Sequence, residues 1–378
     1  MRKPENPFLI SGYHSPDYFC DRKNETSRLL SHIQNGQNVT LTSVRRIGKT
    51  GLIKHLFYNL PAGWKGIYAD ILATENLQGF LSVLTTAILN AVTEKESLGK
   101  KIWTFVKSMR PVISFDPLTN LPQASFELRQ ADTEMHISSI MQFLEKQDYN
   151  IIIAIDEFQQ ITRYPEKNTD AWLRSVIQHM TNVRFVFAGS QQHIINDMFS
   201  LPSGPFFSST AVLAIDKIDQ HEYRDFIADW FRRKNRSVSN EIIDDILMWS
   251  CLHTYYVQLI CNRVFATGQK KITDATWREE AYKLLKEQEN IFFNYRSMLT
   301  NPQWQLMKAV AREGVVTSPT SKDFIGRYQL GSPSTVLRSL NSLIKDELLY
   351  SAYTPEGMVY YSIYDILFRR WTESFPLS

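Results

Sequence analysis

Cysteine is scarce: Cys20, Cys251 and Cys261 are the three in 378 residues, far apart and without a CxxC pair. That spacing excludes a zinc ribbon or a dithiol redox motif and leaves reduced, mostly buried thiols. The eight histidines, His14 and His32 among them, show no metal spacing either. Charge of one sign is not in excess, with 42 Lys+Arg against 39 Asp+Glu and a formal charge of +3. The overall balance therefore gives no reason to expect nucleic acid or a membrane as partner, and any basic surface must be local. No apolar run is long enough to span a bilayer, and the first fifteen residues lack the apolar stretch of a signal peptide, so the expected compartment is the cytoplasm.

What is present is ordinary globular material, 43% hydrophobic and 21% charged, so the whole chain is expected to fold. Its length points to two or three domains. The first half alternates short β-branched runs with longer amphipathic stretches, the pattern of a parallel sheet covered by helices. The runs predict strands over 39–42, 66–71, 151–155, 183–188 and 211–215, short and apolar enough to be buried on both faces. Helices are predicted over 49–59, 77–93, 132–146 and 169–180. The segment 109–125, with Pro111, Pro117 and Pro122, breaks the rhythm and reads as an irregular insertion. From about His221 to Gln288 helical periodicity takes over, and after about Tyr295 three helices and two extended runs joined by Thr354-Pro355-Glu356-Gly357 follow the winged-helix plan. The expected organisation is an α/β core over residues 1–217, a helical lid subdomain over 218–294 and a winged helix over 295–378. No internal repeat or low-complexity tract is found.

One segment of the core carries chemistry. Val39-Thr40-Leu41-Thr42-Ser43-Val44-Arg45-Arg46-Ile47-Gly48-Lys49-Thr50 reads as strand, loop and helix start, the context of a phosphate loop. Such a loop wraps phosphates in backbone N–H groups and aims a helix N-terminus at their charge. In that reading the backbone from Ser43 through Arg45, Arg46, Ile47 and Gly48 to Gly51 forms the cradle for ATP. Lys49 bridges the β- and γ-phosphates, and the Thr50 hydroxyl is a ligand of Mg2+. Ser43 stands where the first glycine of GxxxxGK[ST] is usual; serine is expected to fit that turn, with backbone strain as the alternative. A basic loop before a helix is the bland alternative, and a second motif counts against it. Asn150-Ile151-Ile152-Ile153-Ala154-Ile155-Asp156-Glu157 is an apolar strand ending in two carboxylates, with Asp156 in the role of magnesium ligand and Glu157 in that of general base. The next strand ends at Ser190-Gln191. Ser190 is either a polar group beside the γ-phosphate, with Gln191 as substitute, or an ordinary helix N-cap.

With these residues in place the chain resembles the prokaryotic AAA+-like P-loop ATPases of the STAND branch, related more distantly to origin-recognition ATPases. The resemblance extends to Phe19-Cys20-Asp21-Arg22, similar to a Phe-x-x-Arg box that in such proteins helps enclose the adenine, which would make Arg22 a nucleotide contact or leave it a plain surface arginine. Leu252-His253-Thr254-Tyr255-Tyr256-Val257-Gln258 is similar to the family's Gly-x-Pro-Tyr-Tyr-x-Gln lid helix, without its glycine and proline. Pro205-Phe206-Phe207 leads into Ser208-Ser209-Thr210 where many relatives carry an arginine, so any arginine finger must come from elsewhere.

At the C-terminus, Ser332 is the expected N-cap and Pro333 the first residue of a recognition-type helix. Val336, Leu340 and Leu343 share one face, leaving Ser334, Thr335 and Arg338 to meet a partner. Nine Lys/Arg against seven Asp/Glu between Arg296 and Ser378 is slight for phosphate binding, so duplex DNA and a protein remain equally open as partners. The reading that joins these parts is an ATP-driven switch whose lid motion repositions the winged helix. Its rivals are a DNA-binding regulator and an interaction scaffold, each with a structural nucleotide site. Oligomerisation is compatible with all three.

Overall fold

The computed structural model describes residues 3–92, 96–354 and 356–376. Thr93, the expected end of one helix, Pro355 of the expected wing turn and the chain ends of the two outer domains lie outside the described residues. Residues Ser11–Ile218 form one compact unit; the described residues from Asp219 onward, together with Lys3–Ile10, form a second.

The first unit is built on strands β1 (Val39–Thr42), β2 (Trp64–Asp70), β3 (Val112–Phe115), β4 (Pro122–Ser125), β5 (Asn150–Asp156), β6 (Val183–Ala188) and β7 (Ala211–Ala214). Five of these make a parallel sheet in the order β2-β5-β6-β1-β7. Successive strand residues face opposite sides, so a strand covered on both must be apolar at every position. β5 meets that demand. Ile151, Ile153 and Ile155 join the core that holds helix Leu77–Ala91, while Ile152 and Ala154 join the one beneath helix Lys49–Tyr58. β6 divides in the same way, with Val183, Phe185 and Phe187 on the first side and Val186 and Ala188 on the second.

The stretch 109–125 is not irregular. After an unforeseen helix, Ser97–Ser108, β3 and β4 pair antiparallel, Val112 opposite Ser125 and Phe115 opposite Pro122. The three prolines that argued against order stand just before β3, inside the turn, and at the first residue of β4, positions that tolerate a missing N–H. Asp116 closes the turn by accepting from the N–H groups of Leu118 and Thr119 at 3.0 and 2.8 Å. Buried Ala124 docks the ribbon, its N–H donating to the Thr86 hydroxyl at 2.9 Å.

One carboxylate fixes the entry to β6. Glu145 accepts from the Thr181 N–H and hydroxyl at 2.7 and 2.6 Å and from the N–H groups of Asn182 and Val183, each at 3.0 Å to Oε2. Burial opposes its ionisation, but these hydrogen bonds outweigh burial and hold its pKa below the usual value. Stability from a depressed carboxylate pKa is complete above the unfolded value of 4.5 and is lost as pH falls through the folded one. Glu145→Ala is therefore expected to cost about 2–3 kcal/mol at pH 7, because several donors lose a charged acceptor. In urea unfolding the gap between variant and wild type should shrink below pH 4.5; a gap unchanged by acid would contradict the assignment.

In the second unit, helices Gln220–Arg233, Asn240–Trp249 and Thr254–Ala266 precede the long helix Asp274–Met298, which runs unbroken through residues 294 and 295. Phe8 packs among Phe231 and Phe265, and Asn6 and Asn262 exchange hydrogen bonds with the neighbouring backbone at 2.9 and 2.7 Å. Helices Asn301–Glu313, Lys322–Tyr328 and Pro333–Lys345, the hairpin of β8 (Leu349–Tyr353) and β9 (Val359–Ile363), and a closing helix Ile366–Glu373 form the winged helix. Ser332 caps as its type predicts, accepting from the Thr335 N–H at 3.2 Å. Val336, Leu340 and Leu343 are buried, Ser334 and Arg338 exposed and Thr335 half-buried.

Candidate functional site

The loop between β1 and helix Lys49–Tyr58 turns on two residues with left-handed backbone, Arg46 at φ 61° and Gly48 at φ 109°. A φ of 109° is one that glycine adopts without steric cost, which explains the single glycine kept in the loop. Ser43 is not among the left-handed residues, so a serine sits there without the strain its substitution for glycine had raised. Ile47 drives its side chain into the core beneath β1, anchoring the loop from below.

Lys49 opens the helix and is itself buried. Its Nζ donates to Ser43 Oγ at 2.9 Å and to Ser43 O at 3.4 Å, both neutral oxygens. Among the described residues no carboxylate forms an ion pair with it. Burial pushes the ammonium down to about 8, with Asp156 and Glu157 pulling the other way and Arg45 adding to the fall. A buried cation facing neutral oxygens is a group that gains from an anion.

Parallel pairing brings the end of β5 to the same edge. The Thr50 hydroxyl donates to Asp156 Oδ2 at 2.6 Å, joining two residues 106 apart in the chain. Asp156 Oδ2 also accepts from the Tyr68 hydroxyl at 2.8 Å, and its Oδ1 from the Glu157 N–H at 3.0 Å. Glu157 has a left-handed backbone, φ 57°, and its Oε2 accepts from the Ser190 hydroxyl at 2.7 Å and from Gln159 Nε2 at 2.5 Å. β6 lies between β1 and β5, which is why Ser190, just past its end, reaches Glu157. The following helix Gln192–Phe199 has Gln191 at its N-cap and no side-chain cap bond, so Ser190 serves Glu157 rather than the helix. Gln191 instead accepts from Arg163 Nη2 at 3.0 Å.

Arg22 is buried, not a plain surface arginine. It pairs with Glu25 at 2.6 Å and donates to the carbonyl of Ile47 at 3.3 Å, bracing the loop from behind. Gly51 faces the Phe19 ring, which would lie 3.2 Å from a Cβ there and which stacks on His55 at 4.4 Å. Arg45 is half-buried and Arg46 exposed.

Three participants escaped the motif reading. Tyr68 and Asp70 come from β2, where Asp70 pairs in register with Asp156, and Gln159 follows the carboxylates. Burial raises the Asp70 carboxyl, the nearby Asp156 and Glu157 add to the rise, and the Leu72 N–H partly offsets it. The signal lay in the strand itself, since Gly66-Ile67-Tyr68-Ala69-Asp70 is a second apolar run ending in an acid.

A parallel sheet with this order, a lysine-bearing loop after one strand and paired carboxylates after another define a Walker-type P-loop ATPase. Residues 19–254 match the family described as "ATPase domain predominantly from Archaea", and the chain belongs to that family. Residues 290–374 match a second description, "Probable winged helix domain". Among solved structures, the Walker-type ATPase PABY2304 of Pyrococcus abyssi is similar at 14% identity and a TM-score of 0.65, over 97% of this chain and 99% of that one. The Aeropyrum pernix ORC2 protein, solved as ADPNP–ADP complexes, matches at 14% identity and a TM-score of 0.61, over 98% and 96%. CDC6P from Pyrobaculum aerophilum follows at 14% and 0.50, again over 98% and 96%. At such identities these likenesses concern the fold. No curated protein sequence matches the chain.

Proposed function

We propose that the protein binds ATP with Mg2+ at this loop, hydrolyses it slowly, and uses the bound state as a switch for its winged helix. The observation that carries the reading is the convergence of a buried, anion-seeking Lys49 with the 2.6 Å contact between Thr50 and Asp156. Backbone N–H groups from Ser43 to Gly51 would hold the phosphates, with Arg45 and Arg46 beside them and Lys49 against the β- and γ-phosphates. Thr50 and Asp156 supply the hard oxygen donors that suit magnesium. When bound, the ion neutralises charge on the phosphate oxygens. Glu157 is the base that takes the proton of the attacking water, and Ser190, bonded to it, orients its carboxylate. Arg22 is a positioning residue acting through the Ile47 carbonyl. Slow turnover fits a chain with serines at 208 and 209 and no arginine there to offset charge in the transition state. Through Ser334, Thr335 and Arg338 the winged helix would engage duplex DNA or a protein.

Calorimetric titration tests the site. ATP with Mg2+ should bind one to one, and chelation with EDTA should weaken it about tenfold or more, since one charge-assisted cluster is lost. Affinity indifferent to EDTA would remove magnesium from the site, and no heat with millimolar ATP would remove the nucleotide.

A further inference from the structure

At the opposite ends of the same strands lies a second polar cavity of about 440 Å³. Asn38 before β1, Arg184 in β6 and Thr210 before β7 line it, so it opens at the starts of strands whose far ends carry the loop. Its volume falls in the range of small-molecule sites. Two guanidiniums, Arg174 and Arg184, reach it, and none of the lining residues is a carboxylate. Arg184 is held in place. Its Nη1 donates to the carbonyls of Met180 and Val183 at 2.8 and 3.2 Å, and its Nη2 lies against Gly36, 3.3 Å from where a Cβ would stand. Gly36 has φ +78°, so glycine here serves both the turn and the room for the guanidinium. Of the five N–H groups an arginine carries, Nη1 spends its two on these carbonyls, and Nε and Nη2 are left for a ligand. Arg174 forms no ion pair or hydrogen bond through its side chain among the described residues. The hydroxyl of Ser208 completes a rim of donors, while Ile177, Met180 and Phe206 supply an apolar floor.

We propose that this cavity is a second anion site and that it takes a small organic phosphate. Two guanidinium forks and a hydroxyl offer more donors than the two oxygens of a carboxylate accept, and a phosphate monoester presents three. An apolar floor favours a phosphate with a compact ring or carbon body over the bare inorganic ion.

Calorimetry on the full chain carrying Lys49→Met tests the site, because that background silences the phosphate loop if the loop binds nucleotide and is neutral if it does not. Phenyl phosphate should bind one to one and more tightly than inorganic phosphate. Adding Arg174→Gln, which disturbs no internal hydrogen bond, should weaken it about tenfold or more, the worth of a charge-assisted contact. Arg184→Gln should do the same, and circular dichroism would check that its lost carbonyl braces leave the fold intact. Absence of binding at about 10 mM phenyl phosphate, the weak limit of a specific site, overturns the proposal. Binding indifferent to both arginine variants overturns it too. If instead a single-stranded decanucleotide binds more tightly than phenyl phosphate, with a steep salt slope and dependence on Arg174, the site belongs to a nucleic-acid backbone and the small-ligand assignment falls.

Discussion

Lys49→Met is expected to abolish measurable ATP binding while leaving the fold as stable as before or more so. Methionine keeps the length and apolar bulk of the lysine stem, so the surrounding core is not emptied. What disappears is a buried ammonium whose hydrogen-bond partners are the neutral oxygens of Ser43. In the ligand-free protein that charge is a burden, as the fall of its pKa to about 8 through burial shows, and its removal should relieve the fold. With a triphosphate bound at the proposed site the same charge would face an anion in desolvated surroundings. Leaving that anion unpaired costs about 3–5 kcal/mol, or a loss of roughly two to three and a half decades in affinity. The two readouts move in opposite directions, and a variant that merely misfolds cannot imitate them. Thermal unfolding and calorimetric titration of the same sample check both. Retained affinity would mean that Lys49 does not face the phosphates.

The residues of this site were legible in the sequence where chemistry is local. Gly48-Lys49-Thr50 stands out because a tight turn, a cation and a hydroxyl must be consecutive. Asp156-Glu157 stands out because a strand buried on both faces has to be apolar until it ends. What sequence reading missed depends on register and on tertiary approach. Asp70 gains its meaning from pairing opposite Asp156, and no feature of residues 66–70 alone reveals which strand lies alongside. Tyr68 matters because its hydroxyl reaches Asp156 at 2.8 Å across that pair. The surface alternative for Arg22 fails, because the residue is buried and bonded to the loop's own backbone, an arrangement set by how the left-handed turn at Asp21 and Arg22 enters helix Lys23–Gln34. The ribbon of β3 and β4 was hidden by its prolines, which count against a strand only when they fall in its middle. Ser43 shows the converse. Its match to the motif was one glycine short, but the left-handed positions of the loop fall at Arg46 and Gly48, so the first position had no need of glycine.

Glu157→Gln should then separate binding from turnover. The substitution preserves shape and removes the ability to accept a proton, so ATP affinity should hold while steady-state phosphate release falls by about 10²–10⁴, the usual contribution of a positioned general base. The geometry gives reason to expect a clean result. Glu157 Oε2 accepts from Ser190 Oγ and from Gln159 Nε2, and a glutamine can keep an oxygen on those donors, so the neighbouring β6 end has no cause to move. Its backbone has φ 57°, and glutamine suffers there no more than glutamate does, which removes a further source of collateral damage. Phosphate release and calorimetry on wild type and variant provide the comparison. Equal release rates would take Glu157 out of the chemistry and leave the Walker pair as a site that holds nucleotide for structure alone. A fall in rate at unchanged affinity would place the proton acceptor on the residue that Ser190 and Gln159 hold, and would make those two side chains the next determinants of turnover.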